Sequence, residues 1–204
     1  MIEAARLNEF ILAALLIELT PGPNMTYLAA LTVARGVWVG LSAVAGVAIG
    51  LAVLGVLASF GLARLIEASP TIYSLLRWGG AAFMLWLAWD AWRGAEAEDK
   101  AGPVALGAFG RGLVSNILNP KAALFYLAAP PQFIDAARDT TQQLLTLVAA
   151  YVAVATLVHL GVVVLSGFLR TGAGFSGTSA VRLRKAMAIL LAVVALWLIW
   201  ATRR

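Results

Sequence analysis

"LTPGPNMTYLAA", residues 19–30, sets two prolines and a glycine inside an otherwise apolar run, at a depth where a membrane-spanning helix ought to be continuous. Pro21 and Pro23 have no N–H to give, and each pushes the residue before it, Thr20 and Gly22, out of the α region. The chain is therefore expected to be extended over residues 20–23. It should then restart as a helix, because proline is favoured at the first helical position with Gly or Asn at the cap, and Gly22-Pro23-Asn24 has that order. Lipid does not tolerate the backbone groups such a break sets free, so the interruption has to be buried in protein or to face a water-filled cavity.

Around this break the chain is apolar almost throughout. Of its 204 residues 62% are hydrophobic and 12% charged, against roughly 25% charged in soluble domains, which predicts an integral membrane protein. Six apolar segments are read at about 8–34, 38–63, 71–93, 111–134, 141–168 and 186–202. They lack the alternation of barrel strands, so the expected fold class is all-α, a polytopic protein of six transmembrane helices. The absence of cysteine removes disulfides and thiol redox chemistry. The net charge of +5 comes from basic residues scattered among loops, which points to membrane topology rather than to nucleic acid. Lys and Arg favour loops one, three and five (Arg35; Arg93, Lys100, Arg111; Arg170, Arg182, Arg184, Lys185), so both termini are expected outside. Glu3 and Glu9 stand where a cleaved leader would be basic, and the first segment is expected to be retained.

A second break matches the first. Asn119-Pro120-Lys121 follows "GLVSNIL" and leads into "AALFYLA", again a cap, a proline and a helical restart. The polar interval 94–107 divides the chain, giving a first three-helix repeat over 1–95, a linker over 96–110 and a second repeat over 111–204. Three crossings per half force the second half to enter from the opposite side, so the repeats are inverted, with broken first and fourth helices. The two restarted N-termini then converge near mid-membrane, where unpaired N–H groups and positive dipole ends suit a substrate carboxylate.

Several side chains near the breaks carry charge or hydrogen-bonding capacity. Glu18 lies one turn before the first break and reads either as a proton carrier or ammonium partner, or as a structural pair with Lys121. Lys121, in the first turn of a restarted helix, calls for a compensating anion, either substrate carboxylate, Glu18 or Asp90. Asp90 is a further candidate for the proton or the ammonium, although its i+3 neighbour Arg93 offers a surface pair. His159, the single histidine, is expected to be a hydrogen-bonded helix contact rather than a proton relay. Gly36, Gly40, Gly46 and Gly50 form two GxxxG spacings for close helix packing, and "RTGAGFSGTSAVRLRK" (170–185) reads as a basic loop. No catalytic constellation is present in the sequence, so no enzyme and no cofactor are expected.

The stretches 19–51 and 110–135, with PGPN at 21–24 and NPKA at 119–122, resemble the LysE/RhtB family of bacterial amino-acid exporters. The resemblance implies a multi-pass inner-membrane carrier that exports amino acids or close derivatives, driven by the proton motive force. It implies substrate-binding roles for Pro21, Gly22, Pro23 and Asn24 in one motif and for Asn116, Asn119, Pro120 and Lys121 in the other. Ala88, Asp90 and Glu18 depart from the family's usual residues. A small zwitterion and the bilayer are the expected partners, and a homo-oligomer is compatible with the sequence. A divalent-cation exporter on a related scaffold and a non-transporting scaffold subunit are the alternatives. The lack of Cys and the single His weigh against the first of these.

Overall fold

The computed structural model describes residues 2–20, 22–61, 69–93, 104–171 and 178–201. Pro21 and the larger part of the linker, 94–103, lie outside the described residues. Within them the chain is entirely helical apart from turns and short extended stretches. Helices α1 (Ala4–Leu19) and α2 (Pro23–Arg35) are the two parts of the interrupted first segment. Next come α3 (Val37–Ser59), α4 (Pro70–Arg93), α5 (Val104–Ile117), α6 (Pro120–Ala128), a 3-10 turn (Pro130–Phe133), α7 (Thr140–Thr171) and α8 (Thr178–Ala201).

Local sequence explains where these elements stop. Thr20 (φ −68°, ψ 118°) and Gly22 (φ −146°, ψ −179°) are extended before Pro23, as a residue preceding proline must be. Gly36, at φ 95°, makes the turn between α2 and α3 in a conformation that favours glycine. Pro130 and Pro131 follow α6 and replace its continuation with a 3-10 turn.

Two buried clusters hold the helices together. Phe10, Ala14, Leu51, Phe125, Tyr126 and Tyr151 join α1, α3, α6 and α7. Tyr27, Leu31, Val44, Leu87, Ala108 and Leu191 join α2, α3, α4, α5 and α8. Outside them, Leu12, Leu16, Trp38, Phe60, Leu157 and Phe168 are exposed, an apolar surface beyond what a water-soluble monomer presents. Helices α3 (Val37–Ser59) and α7 (over Thr140–Arg170) are long and apolar enough to cross a membrane.

The structure revises several of these expectations. Helix α5 starts at Val104, so the last part of the interval read as linker is helical, and Arg111 belongs to a helix rather than to loop three. The basic "loop" at 170–185 is largely helix, since α7 runs to Thr171 and α8 begins at Thr178; only 172–177 lies outside the described residues. The orientation count loses these loop residues accordingly. The glycines of α3 divide between two neighbours: Gly40 faces Thr32 of α2, in the broken first helix, whereas Gly46 and Gly50 pack on α5, the first part of the interrupted fourth segment. A Cβ on Gly46 would strike the Phe109 carbonyl, one on Gly50 would lie 2.8 Å from Leu113 O, and one on Gly112 would strike the Ala43 carbonyl. Only glycine permits this approach, which brings α3 and α5 to backbone contact.

Gly46→Leu is expected to destabilise the folded protein by ~1–3 kcal/mol through overpacking against α5. Gly79→Ala, at a position with open space around it, should leave stability nearly unchanged. Thermal midpoints of the two variants in detergent check this, and equal midpoints would refute the packing assignment.

Candidate functional site

The two helix restarts meet. Asn24, the second residue of α2, donates from Nδ2 to Asn116 Oδ1 at 2.7 Å. It also accepts at Oδ1 from Ser115 Oγ at 3.1 Å. Both partners lie in the last turn of α5, just before the second break. Lys121, the second residue of α6, donates from Nζ to the carbonyl of Thr20, just past α1, at 2.9 Å. Each restarted helix thus reaches across to the end of the helix that precedes the other break.

Backbone geometry allows this crossing. Pro23 and Pro120 occupy first helical positions, where a missing N–H costs nothing. Asn119 caps α6 by accepting from Lys121 N at 3.0 Å, while α2 has no side-chain cap. Gly22 lies beside the lysine: a Cβ there would be in ordinary contact, 3.4 Å from both Cδ and Nζ of Lys121. The cation at the start of α6 is accommodated by the carbonyl end of α1, where the helix dipole is negative, rather than by a carboxylate.

The asparagine side of the site is polar and buried, whereas the Lys121–Thr20 contact is exposed. Asn24, Asn116, Asn119 and Ser115 are buried. Among the described residues, Asn116 Nδ2 is buried with no hydrogen-bond partner. An unsatisfied buried donor costs ~1–3 kcal/mol, and beside an uncapped helix start it is suited to an anionic or carbonyl oxygen.

Of the residues singled out from sequence, Gly22, Pro23, Asn24, Asn116, Asn119, Pro120 and Lys121 surround the two breaks, and Pro21 lies outside the described residues. Glu18 is buried, but its carboxyl meets Tyr151 Oη, which donates at 2.6 Å, and His159 Nε2 at 3.5 Å, instead of Lys121. Asp90 pairs with Arg111 of α5 rather than with Arg93. Arg93 stacks instead over Trp89, 4.6 Å from the ring centroid, and Arg111 also lies over Trp86 at 5.0 Å. Sequence reading missed Ser115 and Tyr151. Ser115 adjoins Asn116 and could have been included with it; nothing local distinguishes Tyr151 from other aromatic residues of a membrane helix.

This constellation at paired helix breaks is matched by sequence similarity over nearly the whole chain. A family model described as LysE type translocator matches residues 15–202. The chain belongs to that family. It is therefore a membrane translocator and not an enzyme. A leucine efflux protein of Klebsiella pneumoniae is 34% identical over 164 residues, covering 78% of this chain and 77% of that protein. The leucine efflux protein of Salmonella typhimurium has the same identity and coverage. One from an Enterobacter species is 32% identical over 163 residues, with 78% and 77% covered. No solved structure matches the translocator.

Asn24→Ala and Asn116→Ala should each cost ~1–3 kcal/mol, because each leaves a buried amide unpaired. Their double mutant should cost less than the sum by ~0.5–3 kcal/mol. Chemical unfolding in mixed micelles measures the cycle, and additive losses would mean that the two amides do not meet.

Proposed function

We propose that this translocator exports an amino acid across the bacterial inner membrane, driven by the proton motive force. Six multi-pass spans carry it: α1 with α2, α3, α4, α5 with α6, α7, and α8. They form two inverted three-helix repeats, over 1–95 and 111–204. Helix packing supports this arrangement. A twofold exchange of the halves would pair α3 with α7 and α4 with α8, and both pairs are in contact. The same exchange turns the contacts of α3 with α5 and α6 into those of α7 with α1 and α2, and these also occur.

The observation that carries the reading is the crossed contact at the breaks, Asn24 to Asn116 and Lys121 to Thr20. A zwitterion fits such a place chemically. Its carboxylate would take the α2 N-terminus, the free Asn116 Nδ2 and the Lys121 ammonium, with Asn24 and Asn119 supplying further hydrogen bonds. Pro21, Gly22, Pro23 and Pro120 would keep the backbone open. Glu18 is the acidic group assigned to the ammonium or the proton, since Arg111 already engages Asp90. The names of the relatives favour leucine or a similar apolar amino acid as cargo.

Labelled leucine, alongside a panel of other amino acids, in proteoliposomes with an imposed pH gradient tests the assignment. Lys121→Ala should slow transport about ten- to a hundredfold, the equivalent of the ~1.5–3 kcal/mol a hydrogen bond to a charged group contributes. Asn119→Ala should slow it as well, through the lost cap. Wild-type rates from both variants at normal protein levels would count decisively against this binding site.

A further inference from the structure

The last turn of α1 carries Glu18 into the packing between α1 and α7, where it is 6% exposed. Two side chains of α7, eight residues and thus about two turns apart, address its two oxygens. Tyr151 Oη donates to Oε1 at 2.6 Å, and His159 Nε2 stands 3.5 Å from Oε2. Tyr151 is 0% exposed and His159 3%. An ionisable pair buried at this depth is costly unless it has work to do. Neither the carboxylate site nor the packing of α1 requires a histidine there.

We infer that Glu18 and His159 together hold the proton that is exchanged for the amino acid, with Tyr151 fixing its position; this rests on the export reading above. A phenol has one hydrogen, and here it is committed to Oε1. A proton on the carboxyl group therefore resides on Oε2, the oxygen that faces His159 Nε2. The proton occupies Oε2 or Nε2, and in both positions the pair is neutral overall. At 3.5 Å the two atoms are slightly beyond hydrogen-bond reach, so a small approach of ring and carboxyl passes the proton between them. Release of the proton to water leaves carboxylate and neutral imidazole, with one negative charge.

That charge is what the substrate ammonium would bind. Proton and ammonium compete for the same carboxylate, so one leaves as the other arrives, which is the exchange an exporter needs when protons flow inward. The remaining titratable groups facing the pair are few. Helix α6 brings Lys121, whose Nζ rests on the Thr20 carbonyl two residues past Glu18, and Tyr126. Helix α7 brings Tyr151 itself, α3 has no titratable side chain at all, and Tyr27 of α2 belongs to the other buried cluster, on the side of Arg111 and Asp90. Within α1, residues 10–17 have none either.

The site is also tied mechanically to the breaks. Tyr151 stacks on Phe125 with centroids 4.1 Å apart and meets the edge of Tyr126 at 5.2 Å. Both belong to α6, the helix that Pro120 and Lys121 begin. A shift of α6 around bound substrate would move the donor that holds Oε1.

Proteoliposomes give two readouts on one protein: labelled-for-unlabelled leucine exchange without a pH gradient, and leucine transport driven by an imposed one. In Glu18→Gln and His159→Gln, the stimulation by the gradient should fall about tenfold or more, whatever exchange remains. Tyr151→Phe keeps the ring and removes the donor, and it should displace the pH profile of the stimulation. Full stimulation in Glu18→Gln overturns the inference, as does a loss of exchange and stimulation in equal proportion in His159→Gln. If Glu18→Gln does not fold, an unshifted profile in Tyr151→Phe overturns it instead. Wild-type protein that moves no amino acid in either mode sinks the export reading itself, whereas exchange without any response to the gradient sinks only the coupling.

Discussion

Hydrocarbon cannot hydrogen-bond a peptide group, and a chain that breaks a helix within a membrane must satisfy the freed groups from its own residues. This constraint organises the molecule. The break after α1 leaves the Thr20 carbonyl, which takes the Lys121 ammonium. The break after α5 is bridged by the Asn119 cap and by the contacts of Ser115 and Asn116 with Asn24. Each break draws on residues around the other, and at the second the Asn119 cap adds a local contribution. Close packing of α3 on α5 through glycine, with α3 also against α7, holds the two halves near enough for this to happen.

The prolines and their neighbours made much of this legible in the sequence. Proline excludes its predecessor from the α region and has no N–H to lose at a helix start, and both are local effects. Thr20, Gly22 and Asn119 accordingly adopt the extended backbone expected of them. Apolar content identified the helices for an equally local reason. Their ends were less accessible, because "TSAVRLRKAM" is polar enough to read as a loop and yet forms the first turns of α8. Helix propensity of Ala, Arg, Leu and Lys prevails there over hydropathy.

Side-chain partners followed a different logic. Asp90 has Arg93 at i+3, a pairing that sequence spacing suggests, but Arg111 approaches from another helix and Arg93 finds the face of Trp89. Glu18 was open to Lys121 by proximity to the breaks, whereas the rotation of α1 against α7 turns it to Tyr151 and His159. Helix rotation is set by the packing of Phe10 and Ala14 against α6 and α7. No sequence interval records such an angle, so contacts between helices were the part that could not be read in advance.

On the inverted-repeat reading, Pro23 corresponds to Pro120, so that Asn24 corresponds to Lys121 and Glu18 to Ser115. Ser115 donates to Asn24. The symmetry-related contact would be Glu18 with Lys121, and it is this contact that the structure replaces with the pair to Tyr151 and His159. On that reading the halves differ in a specific way: one joins Ser115 to Asn24, and the other places an acidic and a basic side chain on separate partners. An acidic side chain at the end of α1 and a basic one at the start of α6 match the two ends of a zwitterion in one orientation only. The same substitution of Ser by Glu and of Asn by Lys that breaks the symmetry also gives the acidic group an alternative partner. When His159 and a proton satisfy Glu18, the attraction for an ammonium is lost. If Glu18 serves both proton and ammonium as proposed, this asymmetry makes occupancy by one exclude the other.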